Sequence, residues 1–227
     1  MRPLLALLAP LLWLVAGPAL AQDFATISVE VVQDAASDPG GDRFVAEGRA
    51  QSAAPDGIAA FGPFRVLDGK RAALVGATDA STPRDFARML LAFPTLGTLE
   101  MVDCPGTSDD IANLRLGRMI RRAGIDTVVP AGGSVRSGAV ELFLAGKHRR
   151  AAADAAFAVH SWQDADGLEP ADFPADDPVN LAYLAYYREM GLSEAEARTF
   201  YEMTNAVPHA AARWLTADEF SGYVRLD

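Results

Sequence analysis

From Phe61 onward, short apolar runs alternate with amphipathic stretches, and this alternation limits the fold more than any other feature of the chain. Arg71-Ala-Ala-Leu-Val-Gly76 has the length and apolarity of a buried strand. Ser81 then offers a helix cap, Pro83 suits a first helical turn, and Phe86, Met89 and Leu90 form an apolar stripe. Residues 98–102 read as the next strand. Ser108 is the following cap candidate, with Asp109 and Asp110 at the positive helix end, Ile111, Leu114 and Ile120 apolar, Arg121 and Arg122 at the negative end, and Gly124 as terminator. Residues 125–129 return as a strand. The pattern predicts an α/β domain whose helices cover both faces of a largely parallel sheet.

The N-terminal region reads differently. Met1-Arg2 gives a short positive start, residues 4–15 are almost wholly apolar, and Ala19-Leu20-Ala21 supplies a small-x-small cleavage pattern before Gln22. Pro10 and Pro18 interrupt a run already short for a bilayer. Residues 1–21 are therefore expected to be a signal peptide, leaving a secreted, periplasmic chain with no membrane span. Residues 22–60 are expected to form an appendage: a strand over 24–32, a turn at Pro39-Gly40-Gly41, and a small, polar stretch over 47–60. Residues 61–227 would be the main domain. Beyond His160 the chain is acidic and loop-like to Asp177. Helices are expected over 179–190 and after the capping-box patterns Ser193/Glu196 and Thr216/Glu219.

Charge excludes one class of partner. With 20 basic against 30 acidic residues the net charge is −10, which repels phosphate backbones and argues against nucleic-acid binding. One cysteine, Cys104, cannot form an internal disulfide, so the core must hold the fold. Three scattered histidines and one cysteine show no metal-ligand spacing, and neither metal nor cofactor is expected.

The chemistry-bearing residues are Ser137, at the mouth of the small-residue run Ser137-Gly-Ala-Val-Glu-Leu-Phe-Leu-Ala-Gly146, and His160, in the apolar segment Phe157-Ala-Val-His-Ser-Trp162. A serine hydroxyl is a poor nucleophile until a base takes its proton, so these two brought within about 4 Å would form a minimal acyl-transfer unit. A tetrahedral intermediate also needs two fixed donors where its charge develops, and helix N-termini supply free N–H groups. Gly106 and Gly138 are each expected at such a start. A serine at a helix start can instead be a plain cap, and a histidine in an apolar strand a core residue. Ser134 is a nearby rival to Ser137, and His148 reads as part of a basic edge.

In order and spacing, Cys104-Pro-Gly-Thr-Ser108, Ser137-Gly-Ala139 before Leu142-Phe-Leu-Ala-Gly146, and the later His160 resemble the proteolytic subunit of the Clp protease and its exported bacterial relatives. The resemblance runs from about Phe61 to Tyr223. It implies a Clp/crotonase-like fold of repeated β-β-α units with a helical C-terminal part, a serine peptidase acting on a peptide or protein substrate, and homo-oligomeric assembly. It also implies Ser137 as nucleophile, His160 as base, and the backbone N–H groups of Gly106 and Gly138 as oxyanion donors. Departures are equally legible: Val135-Arg-Ser-Gly-Ala139 lacks the cysteines that often flank the serine in exported relatives, Thr107 replaces a second glycine, and residues 204–212 hold no carboxylate for a third triad member. Asn205 is the candidate to orient the histidine. His209 could not do so as a cation, and Asp218 falls in the expected last helix. A noncatalytic binding or assembly protein, and a crotonase-type enolate site, are the alternatives.

Overall fold

The computed structural model describes residues 43–46, 50 and 53–227, all within a compact unit spanning Ala36–Asp227. The expected leader at 1–21 and strand at 24–32 lie outside the described residues.

Residues β1 (Arg43–Phe44), β2 (Ala59–Phe61), β3 (Phe64–Val66) and β4 (Arg71–Val75) lead into helix α1 (Thr82–Ala92), then β5 (Thr98–Cys104), β6 (Gly106–Thr107) and helix α2 (Asp110–Ala123). After them come β7 (Asp126–Val129), β8 (Ser134–Arg136), α3 (Gly138–Leu144), β9 (Arg149–Ala151) and β10 (Ala156–Val159). Helices α4 (Pro178–Glu189) and α5 (Glu194–Asn205), strand β11 (Arg213–Thr216) and α6 (Ala217–Ser221) complete the chain.

The main sheet has nine strands, with β11-β10-β8-β5-β4-β3-β2 in one path and β7 and β9 branching from β5. Its centre is parallel, through β4–β5, β5–β7, β5–β8, β7–β9 and β8–β10. Hairpins make the edges antiparallel, at β2–β3–β4 and β10–β11. The architecture is thus the expected α/β type, a mostly parallel sheet with packed helices. Buried strands such as Ala72-Ala-Leu74 carry unbroken apolar runs because helices cover them.

Local signals resolve with two substitutions of role. Gly124 ends α2 in the left-handed region (φ 68°), and Ser193 and Thr216 form the expected capping boxes. At α2, however, Asp109 is the cap, accepting from Ala112 N at 2.9 Å, while Ser108 reaches the Thr78 carbonyl instead. At α1 the backbone N–H groups of Ser81 and Thr82 donate to Asp79, two residues earlier than the expected Ser81 cap. A carboxylate outcompetes a hydroxyl for several converging donors.

The described residues of the segment expected as an appendage over 22–60 contribute directly to the packing. Arg43 and Phe44 pair antiparallel with Thr107 and Gly106, and Ala59 and Ala60 belong to the main sheet. Arg43 is among the most buried side chains of the protein. An aromatic cluster sets the frame of the site: Phe143 of α3 packs on Phe157 of β10 at 5.2 Å between centroids, and Phe157 stacks on Phe220 of α6 at 4.1 Å. Each buried ring contributes about 1.5–3 kcal/mol, which fixes α3 against β10.

Candidate active site

Strands β8 and β10 are neighbours and parallel, with Arg136 opposite Ala158. Ser137 follows the end of β8 and His160 follows the end of β10, so both emerge at the carboxyl edge of the sheet, where open parallel sheets present their ligand sites. Ser137 N donates to the Ala158 carbonyl at 2.7 Å, extending the ladder by one residue. Beyond it the chain turns sharply into α3. Ser137 takes φ 51° and ψ −128°, and is the only non-glycine residue with positive φ among the described residues. Its side chain makes no capping hydrogen bond. The hydroxyl instead meets His160 Nε2 at 2.5 Å. A strained backbone of this kind costs on the order of 1–3 kcal/mol and persists only where surrounding packing enforces it.

His160 is buried, and its pKa is pushed down to about 3 by burial first, then by Arg43 and His209. The His209 ring stands edge-on to it, 4.7 Å between centroids. A neutral imidazole that accepts from Ser137 at Nε2 carries its own proton on Nδ1. His160 Nδ1 is buried and has no hydrogen-bond partner among the described residues. The expected orienting role of Asn205 is not met. Its amide sits at the end of α5, where Nδ2 donates to the Tyr201 carbonyl at 2.8 Å and Oδ1 accepts from Trp162 N at 3.4 Å. The C-terminal turn of α5 offers the Tyr201 carbonyl, and the amide takes it. Ser134 is excluded as the rival nucleophile by its engagement with Arg136 Nη1 at 2.6 Å.

Gly138 packs against Thr107, the residue that follows Gly106. A Cβ on Gly138 would lie 2.7 Å from Thr107 Cγ2, so the Thr107 side chain is accommodated by the absence of one on Gly138. Gly106 has φ 128°, open only to glycine, and its carbonyl accepts from Thr78 N at 3.0 Å. Asn113, on α2, donates to the Gly138 carbonyl at 2.6 Å and accepts from Thr78 Oγ1 at 2.9 Å. The loop of Gly106 and the start of α3 are therefore braced by one buried amide. Gly138 N is the first helical N–H of α3, a position without an intrahelical acceptor.

Sequence reasoning missed a second buried layer. Arg43 Nη1 pairs with Glu141 Oε1 at 2.8 Å, and Nη2 donates to the His160 carbonyl at 3.4 Å. Tyr187 OH donates to the same Glu141 oxygen at 2.9 Å, and Tyr183 OH to Asp110. Burial pushes the Asp110 carboxyl up to about 7 against the lowering influence of Arg43, while Glu141 and Asp109 push it further up. Burial lowers the Arg43 proton affinity, but Glu141, Asp110 and Tyr187 outweigh it, and the group stays charged. Glu141 was legible as the one charge within the apolar run that follows Ser137. Arg43 had no such signal.

Among the described residues no group of His, Cys, Asp and Glu could hold a metal ion, and no helix is long and apolar enough to cross a membrane. A neutral imidazole held against a serine hydroxyl at a strand-to-helix turn is placed to take the hydroxyl proton.

Neither a family model nor a curated protein matches the sequence. Among solved structures the chain is similar to the ClpP protease catalytic domain from Plasmodium falciparum, at 16% identity over 68% of this chain and 81% of that one, with a TM-score of 0.47. It is similar to a variant of ClpP1 from Listeria monocytogenes, at 14% identity over 69% and 88%, TM-score 0.40. A third is the 1510-N membrane protease specific for a stomatin homolog from Pyrococcus horikoshii, at 14% identity over 68% and 69%, TM-score 0.43. At such values the chemistry of this chain rests on its own residues.

Proposed function

We propose that the protein is an exported serine hydrolase that cleaves peptide bonds with a Ser137–His160 dyad. The 2.5 Å contact between Ser137 Oγ and His160 Nε2, at the one strained non-glycine backbone among the described residues, carries the reading. Ser137 Oγ attacks the substrate carbonyl carbon as its proton passes to His160 Nε2. The N–H groups of Gly106 and Gly138 receive the negative charge on the carbonyl oxygen. The C–N bond then breaks, His160 returns the proton to the leaving amine, and water repeats the sequence to hydrolyse the Ser137 ester. With no acceptor at His160 Nδ1 among the described residues, the histidine is oriented by the packing around it.

A fluorophosphonate tests this on the purified full protein. Covalent labelling of Ser137, abolished in Ser137→Ala and slowed by orders of magnitude in His160→Ala, is the expected result. No labelling at any protein concentration would leave the noncatalytic reading, which an Nδ1 without a partner among the described residues favours. Dependence of labelling on concentration would report the homo-oligomer that the sequence resemblance implies. Export predicts a mature chain beginning at Gln22, readable by intact mass of periplasmic protein.

A further inference from the structure

The groove that a peptide would need at this site already contains a peptide. Strand β1 pairs antiparallel with β6, setting Phe44 opposite Gly106 and Arg43 opposite Thr107. Val45 N donates to the Pro105 carbonyl at 2.8 Å, and the Val45 carbonyl accepts from Arg136 Nε at 2.9 Å. Residues 43–45 thus bridge the loop of Gly106 on one side and the residue preceding Ser137 on the other. The contact is intimate: a Cβ on Gly106 would fall 1.9 Å from the Arg43 carbonyl oxygen. Added strands of this kind are how extended peptides dock on sheet edges, with backbone bonds for affinity and one pocket for selectivity.

The pocket is present, and a guanidinium fills it, with Nε buried and without a partner among the described residues. The Arg43 side chain is almost completely buried, with Glu141 and the His160 carbonyl each on one terminal nitrogen and the Tyr183 ring 5.5 Å from its central carbon. Two amine-facing groups spaced for a planar fork, beside an aromatic face, favour arginine over the point charge of lysine. The site holds more acid than its occupant uses. Glu141 Oε2 and Asp110 Oδ1 are buried without a hydrogen-bond partner among the described residues. A buried ion pair serves stability poorly compared with apolar packing, so its presence next to Ser137 and His160 calls for another reason.

We infer that the pocket formed by Glu141, Asp110, Tyr183, Tyr187 and the His160 carbonyl is a specificity pocket for an arginine side chain, and that residues 43–45 fill it as a tethered substrate mimic that closes the site. This rests on the hydrolase reading above. It makes the substrate class peptides that place an arginine side chain in this pocket.

The test uses the full chain carrying Arg43→Ala and the small ligand Nα-acetyl-arginine methylamide. Calorimetry should show binding to Arg43→Ala and none to the wild type. The lysine analogue should bind about tenfold more weakly or worse, and adding Glu141→Gln should abolish binding. Fluorophosphonate should label Ser137 about tenfold faster in Arg43→Ala than in the wild type. If Arg43→Ala is unfolded alone, the arginine derivative should restore a cooperative thermal transition, because a ligand that binds only the folded state stabilises it. A folded variant that ignores the ligand, or an unfolded one that the ligand does not rescue, overturns the pocket. Binding without any labelling of Ser137 in either protein would instead overturn the hydrolase reading and leave the pocket standing.

Discussion

Asn113 and Gly138 are joined by a 2.6 Å hydrogen bond from the Asn113 amide to the Gly138 carbonyl, which couples the helix after the Gly106 loop to the helix after Ser137. The other end of the same amide is held by Thr78. Replacement by leucine removes both bonds and leaves the Thr78 hydroxyl only its 3.5 Å contact with the Gly106 carbonyl. Asn113→Leu should lose about 2–4 kcal/mol of stability by chemical denaturation and slow the labelling of Ser137. Unchanged labelling in a destabilised variant would confine Asn113 to a structural role.

Gly138 and Thr107 should show a steric coupling. Gly138→Ala puts a methyl group 2.7 Å from Thr107 Cγ2, with an expected loss of about 1–3 kcal/mol. Thr107→Ser removes Cγ2 and keeps the hydroxyl that bonds the Asp109 backbone. In a double-mutant cycle the second substitution should recover most of the first loss, and strict additivity would contradict the packing.

The backbone strain at Ser137 can be measured apart from its hydroxyl. Ser137→Gly and Ser137→Ala both lose the contact with His160, but only glycine adopts φ 51° and ψ −128° freely. The glycine variant should be the more stable of the two by about 1–3 kcal/mol in thermal or denaturant unfolding. Equal stabilities would mean that the turn relaxes in one of them.

Labelling should have an unusual pH profile. A histidine base works while neutral, and one with its pKa lowered from 6.5 to about 3 remains neutral through the mildly acidic range. The labelling rate should therefore stay level from about pH 8 to about pH 5 and fall only as pH approaches the lowered value. In Arg43→Ala one cause of the shift is gone, and the fall should move to higher pH. A wild-type inflection near the ordinary histidine value would show that the ring is wet and unpaired with Arg43.

The Ser137–His160 pair was legible because each residue sits just past a strand that its own apolar neighbours define: Val135 and Arg136 before Ser137, and Phe157 to Val159 before His160. Parallel pairing of those strands then does the rest. Caps were legible to within a residue or two, since Ser108 and Asp109 are both good caps and only the backbone decides between them. Asn205 was read as an orienting group from its position relative to the expected acid, whereas the local geometry of a helix end turned it toward Tyr201. The Arg43–Glu141 pair was out of reach for a different reason. It joins residues 98 positions apart through a two-residue strand, too short to leave a periodic trace.

That same strand imposes an order of events on the chain. Arg43 leaves the ribosome before any of its partners, yet its contacts with Glu141 and with the His160 carbonyl span 98 and 117 residues. It can dock only after β8, α3 and β10 have come together, because those elements build what it enters. The earliest described segment to be synthesised is thus among the last to find its place. A pairing of two residues on two also holds little on its own, so it should be the first part of the structure to let go. The protein would then pass through a state, on the way in and on the way out, in which the nine-stranded sheet is complete and Ser137 lies open.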